Sequence, residues 1–208
     1  MRTAESVKEA SEALLTHLGV PINPELPFVE TPEEITPRNT TEVAQQMVAV
    51  SYMVRVGHGY PAAEAKNHLI ELGILGSLGS KSRQMLQQRE LSAQDKINLT
   101  WQAEGVQALA WALGLVQLDH TRECDDDLAS RGPAKDQEAE FILNATLRPV
   151  SQLHEQVDLI YRMHWAVVNA RFTGATVSLN ESIISERRRA LDWMYGVEED
   201  WDEVPMDT

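Results

Sequence analysis

A single cysteine, Cys124, in a chain of 208 residues excludes an internal disulfide and any zinc site built from several thiolates. Aromatic residues are scarce at 6%, yet five of them are tryptophans, so the large aromatic contacts should be concentrated at a few places. Basic charge is outnumbered: 18 Lys and Arg against 32 Asp and Glu leave a formal charge of -14. Such a field repels phosphate backbones and anionic lipid, which argues against nucleic-acid and membrane-surface roles. The cluster Arg187, Arg188 and Arg189 is too small to reverse it. Long apolar runs are missing as well, since the greasiest stretch, Ala108 to Leu118, is too short to span a bilayer and contains Gln117. The start MRTAESVKEASEALL carries acids and no unbroken apolar stretch, unlike a signal or transit peptide. A cytoplasmic protein is the expectation.

What is present is helical patterning. Thr3 can cap a helix whose apolar positions Val7, Ala10, Leu14 and Leu18 keep a period near 3.6, and Gly19 with Pro21 ends it. Residues 21–37 hold five prolines and read as an extended connection packed on the surface. Asn39 followed by Glu42 has capping-box spacing, and Val43, Met47, Val50 and Val54 continue one face behind it. Another helix is expected near Ala62 to Leu72. Ser80 and Ser92 both look like N-caps, the second opening a long helix from about Ala93 to Leu115. A loop follows from Leu118 to Gly132, then a short helix near Ala134 to Asn144. Pro149 and Ser151 introduce a helix from Gln152 to about Phe172, and Asn180 caps a last one to about Tyr195. No stretch alternates long enough for a strand, and Thr173 to Leu179 allows at most a minor β-hairpin. The expected fold is all-α: one compact multi-helix domain over residues 1–208, with a central apolar helix and an acidic tail at 197–208.

Wheel arithmetic at about 100° per residue separates the informative charges from the rest. Glu104 lies in the middle of an arc formed by Ile97, Trp101, Ala108, Trp111 and Leu115. Arg187 falls among Ile183, Ile184, Leu191 and Met194, so at least its stem should be buried. The helix from Gln152 is apolar nearly all round, with Glu155, Asp158 and Arg162 in its one charged sector and His164 on the opposite, aliphatic side. An isolated buried charge is too costly to persist, so Glu104, Asp158, Arg162 and Arg187 should be paired in one or two buried networks. Arg187 needs an acid from another helix, with Glu104 or Asp158 the candidates. Such pairs either fix helix register or line a polar pocket in which Glu104 or His164 is a base and an arginine holds an anion.

Other chemistry finds little support. His154 and Asp158 have i,i+4 spacing, but no second helix offers a Glu-x-x-His pair to complete a metal site. Asp125 to Asp127 lack the glycine and distal glutamate of a calcium loop. GILGSLGSKS has neither P-loop nor Rossmann spacing. Cys124 has only Arg122 nearby to activate it. No cofactor and no metal are called for.

Several segments resemble the bacterial domain-of-unknown-function 4272 family: LGVPINPELP, the Trp101 and Glu104 region with ALAWALGLV, and Cys124 with Asp125. LRPVSQLHEQVDLIYRMHWAVVNAR and the ending LNESIISERRRALDWMYGVEEDWDEVPMDT carry the resemblance more specifically. It implies a mostly helical bacterial cytosolic protein without an established activity. Matched positions include Glu104, Asp158, Tyr161, Arg162, His164, Trp165, Glu186, Arg187, Trp193, Trp201, Asp202 and Asp207. The chain departs from the family at Gln102, where a basic residue is expected, and at Arg188 and Arg189, where ring residues are more usual.

Two functions are expected from these features. The first is a non-catalytic interaction protein that binds a basic protein partner through its acidic surface and tail, with Trp201, Asp202 and Asp207 facing that partner. The second is an enzyme or small-anion binder around a buried polar network of Glu104, Asp158, Arg162, His164, Glu186 and Arg187. It requires Glu104, Arg162, His164 and Arg187 to converge on a solvent-reachable pocket.

Overall fold

The computed structural model describes residues 2–208, and no strand occurs among them. Ten α-helices follow one another: α1 (Ala4–His17), α2 (Thr40–Gly57), α3 (Ala62–Glu71), α4 (Ser80–Met85), α5 (Ala93–Trp101), α6 (Ala103–Ala112), α7 (Leu128–Arg131), α8 (Glu138–Asn144), α9 (Val150–Thr173) and α10 (Glu181–Tyr195). The fold is all-α; Thr173 ends α9, and residues 174–179 are irregular rather than a hairpin.

Local capping explains most helix starts. The hydroxyl of Thr3 accepts from the Ser6 amide, Asn39 and Glu42 form a reciprocal capping box, Ser92 and Asp95 form another, and Asn180 caps α10. Ser80 behaves differently. Gly79 takes the N-cap position of α4, and the amides of Ser80 and Ser82 donate instead to the carboxylates of Asp200 and Asp202, at 3.0 and 2.7 Å. A Cβ at Gly79 would overlap both carboxylates. A short helix with no local cap is thus satisfied from the far end of the chain.

α9 lies against α1 and α10, α10 also against α6, and α2 against α5, α6 and α8. α2 is shared by two apolar clusters: Val43, Met47 and Val50 join the larger one with α6, α9 and α10, while Val48, Tyr52, Met53 and Val56 join Leu69, Leu78 and Leu99 in the smaller. Burial on two sides explains why α2 shows more than the single apolar face read from its sequence.

The helix expected from Ala93 to Leu115 breaks at Gln102, whose amide turns back to the Leu99 carbonyl at 3.3 Å. A wheel drawn through the break fails before it: Ile97 is 50% exposed, and Leu99 takes the buried position. Beyond the break Glu104 is buried, as the periodicity of α6 requires. Gly105 sits two residues inside α6, where a Cβ would come within 3.4 Å of the Trp201 ring and the Glu186 carbonyl. α6, α10 and the tail meet there.

The proline-rich connection straps α9 and α10. Its Pro27 carbonyl accepts from Arg162 and its Glu30 carbonyl from the Tyr195 hydroxyl, while the Arg38 amide donates to the Met194 carbonyl. The strap comes so close to Gly196, which adopts φ +91°, that a Cβ there would collide with the Thr36 carbonyl.

Candidate functional site

Glu104 and Arg187 form a buried ion pair across α6 and α10. Arg187 donates through Nε and Nη2 to Oε2 of Glu104 at 3.0 and 2.8 Å, and the two side chains are 1% and 4% exposed. Arg187 also donates to the Asp119 and Arg122 carbonyls, and Oε1 of Glu104 accepts from the Cys124 amide at 2.9 Å. Of the two acids the sequence offers Arg187, the structure chooses Glu104.

The other charges read from the sequence lie in separate groups. Arg162 pairs with Asp158 on its own helix and lies 3.6 Å from Glu12. His164 Nδ1 is 2.7 Å from Nη1 of Arg188, which also pairs with Asp192 and donates to the Asp207 carbonyl. Arginine only donates, so His164 accepts here and is neutral; burial, then the charge of Arg188, pushes its pKa down to about 4. Burial lifts Asp192 to about 6 in spite of Arg188. Glu186 pairs with Arg189.

Glu104, Arg162, His164 and Arg187 therefore do not converge on a solvent-reachable pocket. Glu104 and Arg187 are sealed together, Arg162 serves α9 and the strap, and the His164 lone pair is occupied. Of the expected network Glu186 borders a groove, beside Trp101 and Glu181.

The tail departs from expectation in a similar way. Trp201 is 1% exposed and packs edge-on against Trp193, with ring centroids 5.8 Å apart. Asp202 caps α4, and the Asp207 backbone is held by Arg188. Burying an indole among apolar neighbours outweighs the solubility of the surrounding acids, so Trp201 anchors the chain to itself rather than facing a partner.

The Glu104–Arg187 pair acts on the segment between α6 and α7. Two of its carbonyls and one amide are bound by the pair; Gln107, three residues on from Glu104, donates to the Gln117 carbonyl at 2.9 Å. His120 meets Gln156 of α9 at 3.0 Å. The segment makes few backbone hydrogen bonds of its own, and side chains from α6 and α10 satisfy further backbone groups while Gln156 of α9 holds the His120 ring.

That clamped segment forms one wall of a cleft of about 500 Å³. α2 supplies Ser51, Tyr52 and Arg55, its C-cap residue His58 follows, and α6 supplies Val106. Cys124 and Glu138 line it as well. The Tyr52 hydroxyl donates to Oε1 of Glu138 at 2.8 Å, and His68 Nε2 meets the same oxygen at 3.0 Å. Burial works against ionising Glu138, but hydrogen bonds from its own amide, Tyr52 and His68 hold its carboxyl below the usual range. Burial, followed by the hydrogen bond to Glu138, pushes the Tyr52 phenol up. Burial and the nearby Glu104 carboxylate push the Cys124 thiol to about 11, so it stays protonated. Among the described residues no group of three or more His, Cys, Asp or Glu side chains is placed to hold a metal ion.

Tyr52, His68, Arg55, Gln107 and Glu138 escape a reading of the sequence. Tyr52 and Glu138 are 86 residues apart, and nothing local links them. Gln107 alone left a signal, as a polar residue inside the apolar run of α6 and three positions from Glu104.

An all-α protein with a side-chain-clamped cleft, and no helix among its described residues long and apolar enough to cross a membrane, is the class that fold and site define. The chain belongs to the family described as a domain of unknown function (DUF4272), whose model matches residues 7–204. No curated protein and no solved structure matches it.

Proposed function

We propose that this is a non-catalytic ligand-binding protein of the cytoplasm whose small-molecule site is the cleft between α2, α6 and the segment from Glu123 to Glu138. The observation that carries this is the fastening of the cleft wall by Glu104 and Arg187. Burying an ion pair costs desolvation, and a well-packed apolar pair would serve helix packing as well. Here the pair's remaining hydrogen bonds go to the backbone of the segment that leads into the wall, at Asp119 and Arg122, and to that of the lining residue Cys124. The volume of about 500 Å³ suits a metabolite-sized occupant. The lining favours binding over turnover: the Cys124 thiol is protonated, the Tyr52 phenol is committed to Glu138, and no nucleophile is paired with a base.

Amide NMR spectra recorded against a chemically diverse fragment library test the reading. Hits should shift amides near Tyr52, Arg55 and Cys124, and should lose that effect in a Ser51→Trp variant that fills the cleft. A library that leaves those amides unmoved while shifting others would sink it.

The charge of -14 supports a second reading, an acidic surface for a basic protein partner. Its contact residues are then the exposed tail acids Glu199, Glu203 and Asp207, not Trp201. Recovery of the same partners by Glu199→Gln/Glu203→Gln/Asp207→Asn as by the parent protein would remove the tail from this reading.

A further inference from the structure

Two charges on the cleft are unspent. Glu138 is 2% exposed and lines the cleft, yet only its Oε1 is bonded; Oε2 is buried with no hydrogen-bond partner. An ionised carboxylate oxygen in that position is a strong acceptor waiting for a donor. The Arg55 guanidinium lines the same cleft, lies over the Tyr52 ring 4.8 Å from its centroid, and has no carboxylate within ion-pair distance among the described residues. Tyr52 is the spacer between them, its hydroxyl bound to Glu138 and its face under Arg55. Apolar side chains of Met47, Val106 and Leu128 line the space beside them.

A simple anion would satisfy Arg55 but face Glu138 and the rim acids Glu123, Asp125 and Asp126. A simple cation would satisfy Glu138 and leave Arg55 repelling it. A metal ion would find no set of three ligating side chains. We propose that the cleft binds a small linear zwitterion, with an amine donating to Oε2 of Glu138, a carboxylate on Arg55 and an apolar chain between them. This rests on the cleft being the ligand site and adds the chemical class of its occupant.

Three probes of one chain length separate the two ends: 6-aminohexanoate, hexanoate and hexylamine, each titrated into the full-length protein and followed by amide NMR. 6-Aminohexanoate should shift Tyr52, Arg55 and Glu138 saturably, and each one-ended probe should bind about tenfold more weakly, the worth of one charge-assisted hydrogen bond. Arg55→Gln should erase the preference over hexylamine, and the near-isosteric Glu138→Gln the preference over hexanoate. Equal binding of a one-ended probe would overturn the zwitterion and leave the cleft as a site. So would no response to any of the three where library fragments do bind there. Silence from probes and fragments alike would remove both readings.

Discussion

Replacing Arg187 by alanine should destabilise the protein by about 3–5 kcal/mol, the cost of stranding a buried charge. Glu104 is 3% exposed, and without Arg187 it loses two donors and keeps only the Cys124 amide. The Arg122 carbonyl loses its donor at the same time, at a cost of about 1–3 kcal/mol unless water reaches it, while the Asp119 carbonyl keeps the Arg122 amide at 3.3 Å. Urea unfolding followed by far-UV circular dichroism and tryptophan fluorescence reads the loss, compared at equal m-value. A change below about 1 kcal/mol, the range of exposed ion pairs, would refute the burial argument. The double variant Glu104→Met/Arg187→Met removes both charges together and should recover most of the loss. It should nevertheless raise amide hydrogen exchange at Cys124, because methionine cannot hold the backbone. Unchanged exchange there would show that the pair packs helices and does not clamp the cleft wall.

Trp201→Ala should cost about 3–5 kcal/mol, as expected for emptying a fully buried aromatic site; a loss under about 1 kcal/mol in the same assay would mean that the tail is not docked in solution. His120 gives the pH signature. Burial, then the charge of Arg187, lowers its pKa from 6.5 to about 4, so the unfolded chain binds the proton first as the pH falls. Its contribution is complete above pH 6.5 and is lost towards pH 4, by up to about 3 kcal/mol. Asp192 works in the opposite sense, since a pKa raised from 3.8 to about 6 favours the folded state at low pH and fades as pH rises through 6. The measurement is therefore the difference in slope between parent and His120→Gln; identical slopes between pH 4 and 6.5 would contradict a buried neutral histidine.

How much of this was legible follows from the range of each interaction. Caps at Thr3, Asn39, Ser92 and Asn180 act over two or three residues, and all four are found where the sequence places them. The burial of Glu104 and Arg187 was legible because each stands on one helical face whose apolar neighbours are within a turn or two. Ser80 misled because its helix is capped from residues 120 positions away. Trp201 misled because composition reports the acids around it and not the ring of Trp193 that receives it. The cleft was invisible: its wall is an irregular segment, and Tyr52, Glu138 and His68 are joined only by tertiary folding.

The clamp explains why the pair is charged at all. A guanidinium carries five donors in a fixed plane, and here two serve Glu104 while two others reach carbonyls three residues apart on a segment with no regular structure. Lysine has the charge but not the fork, and an apolar pair has the volume but no donors. Only the arginine–glutamate combination ties α6 to α10 and both to the wall, with Glu104 closing the arrangement through the Cys124 amide. Cys124 then belongs to two environments, its backbone to the sealed pair and its residue to the cleft lining. If the cleft takes the ligand proposed for it, a wall held in this way is ordered before binding, and little ordering entropy is left for binding to offset.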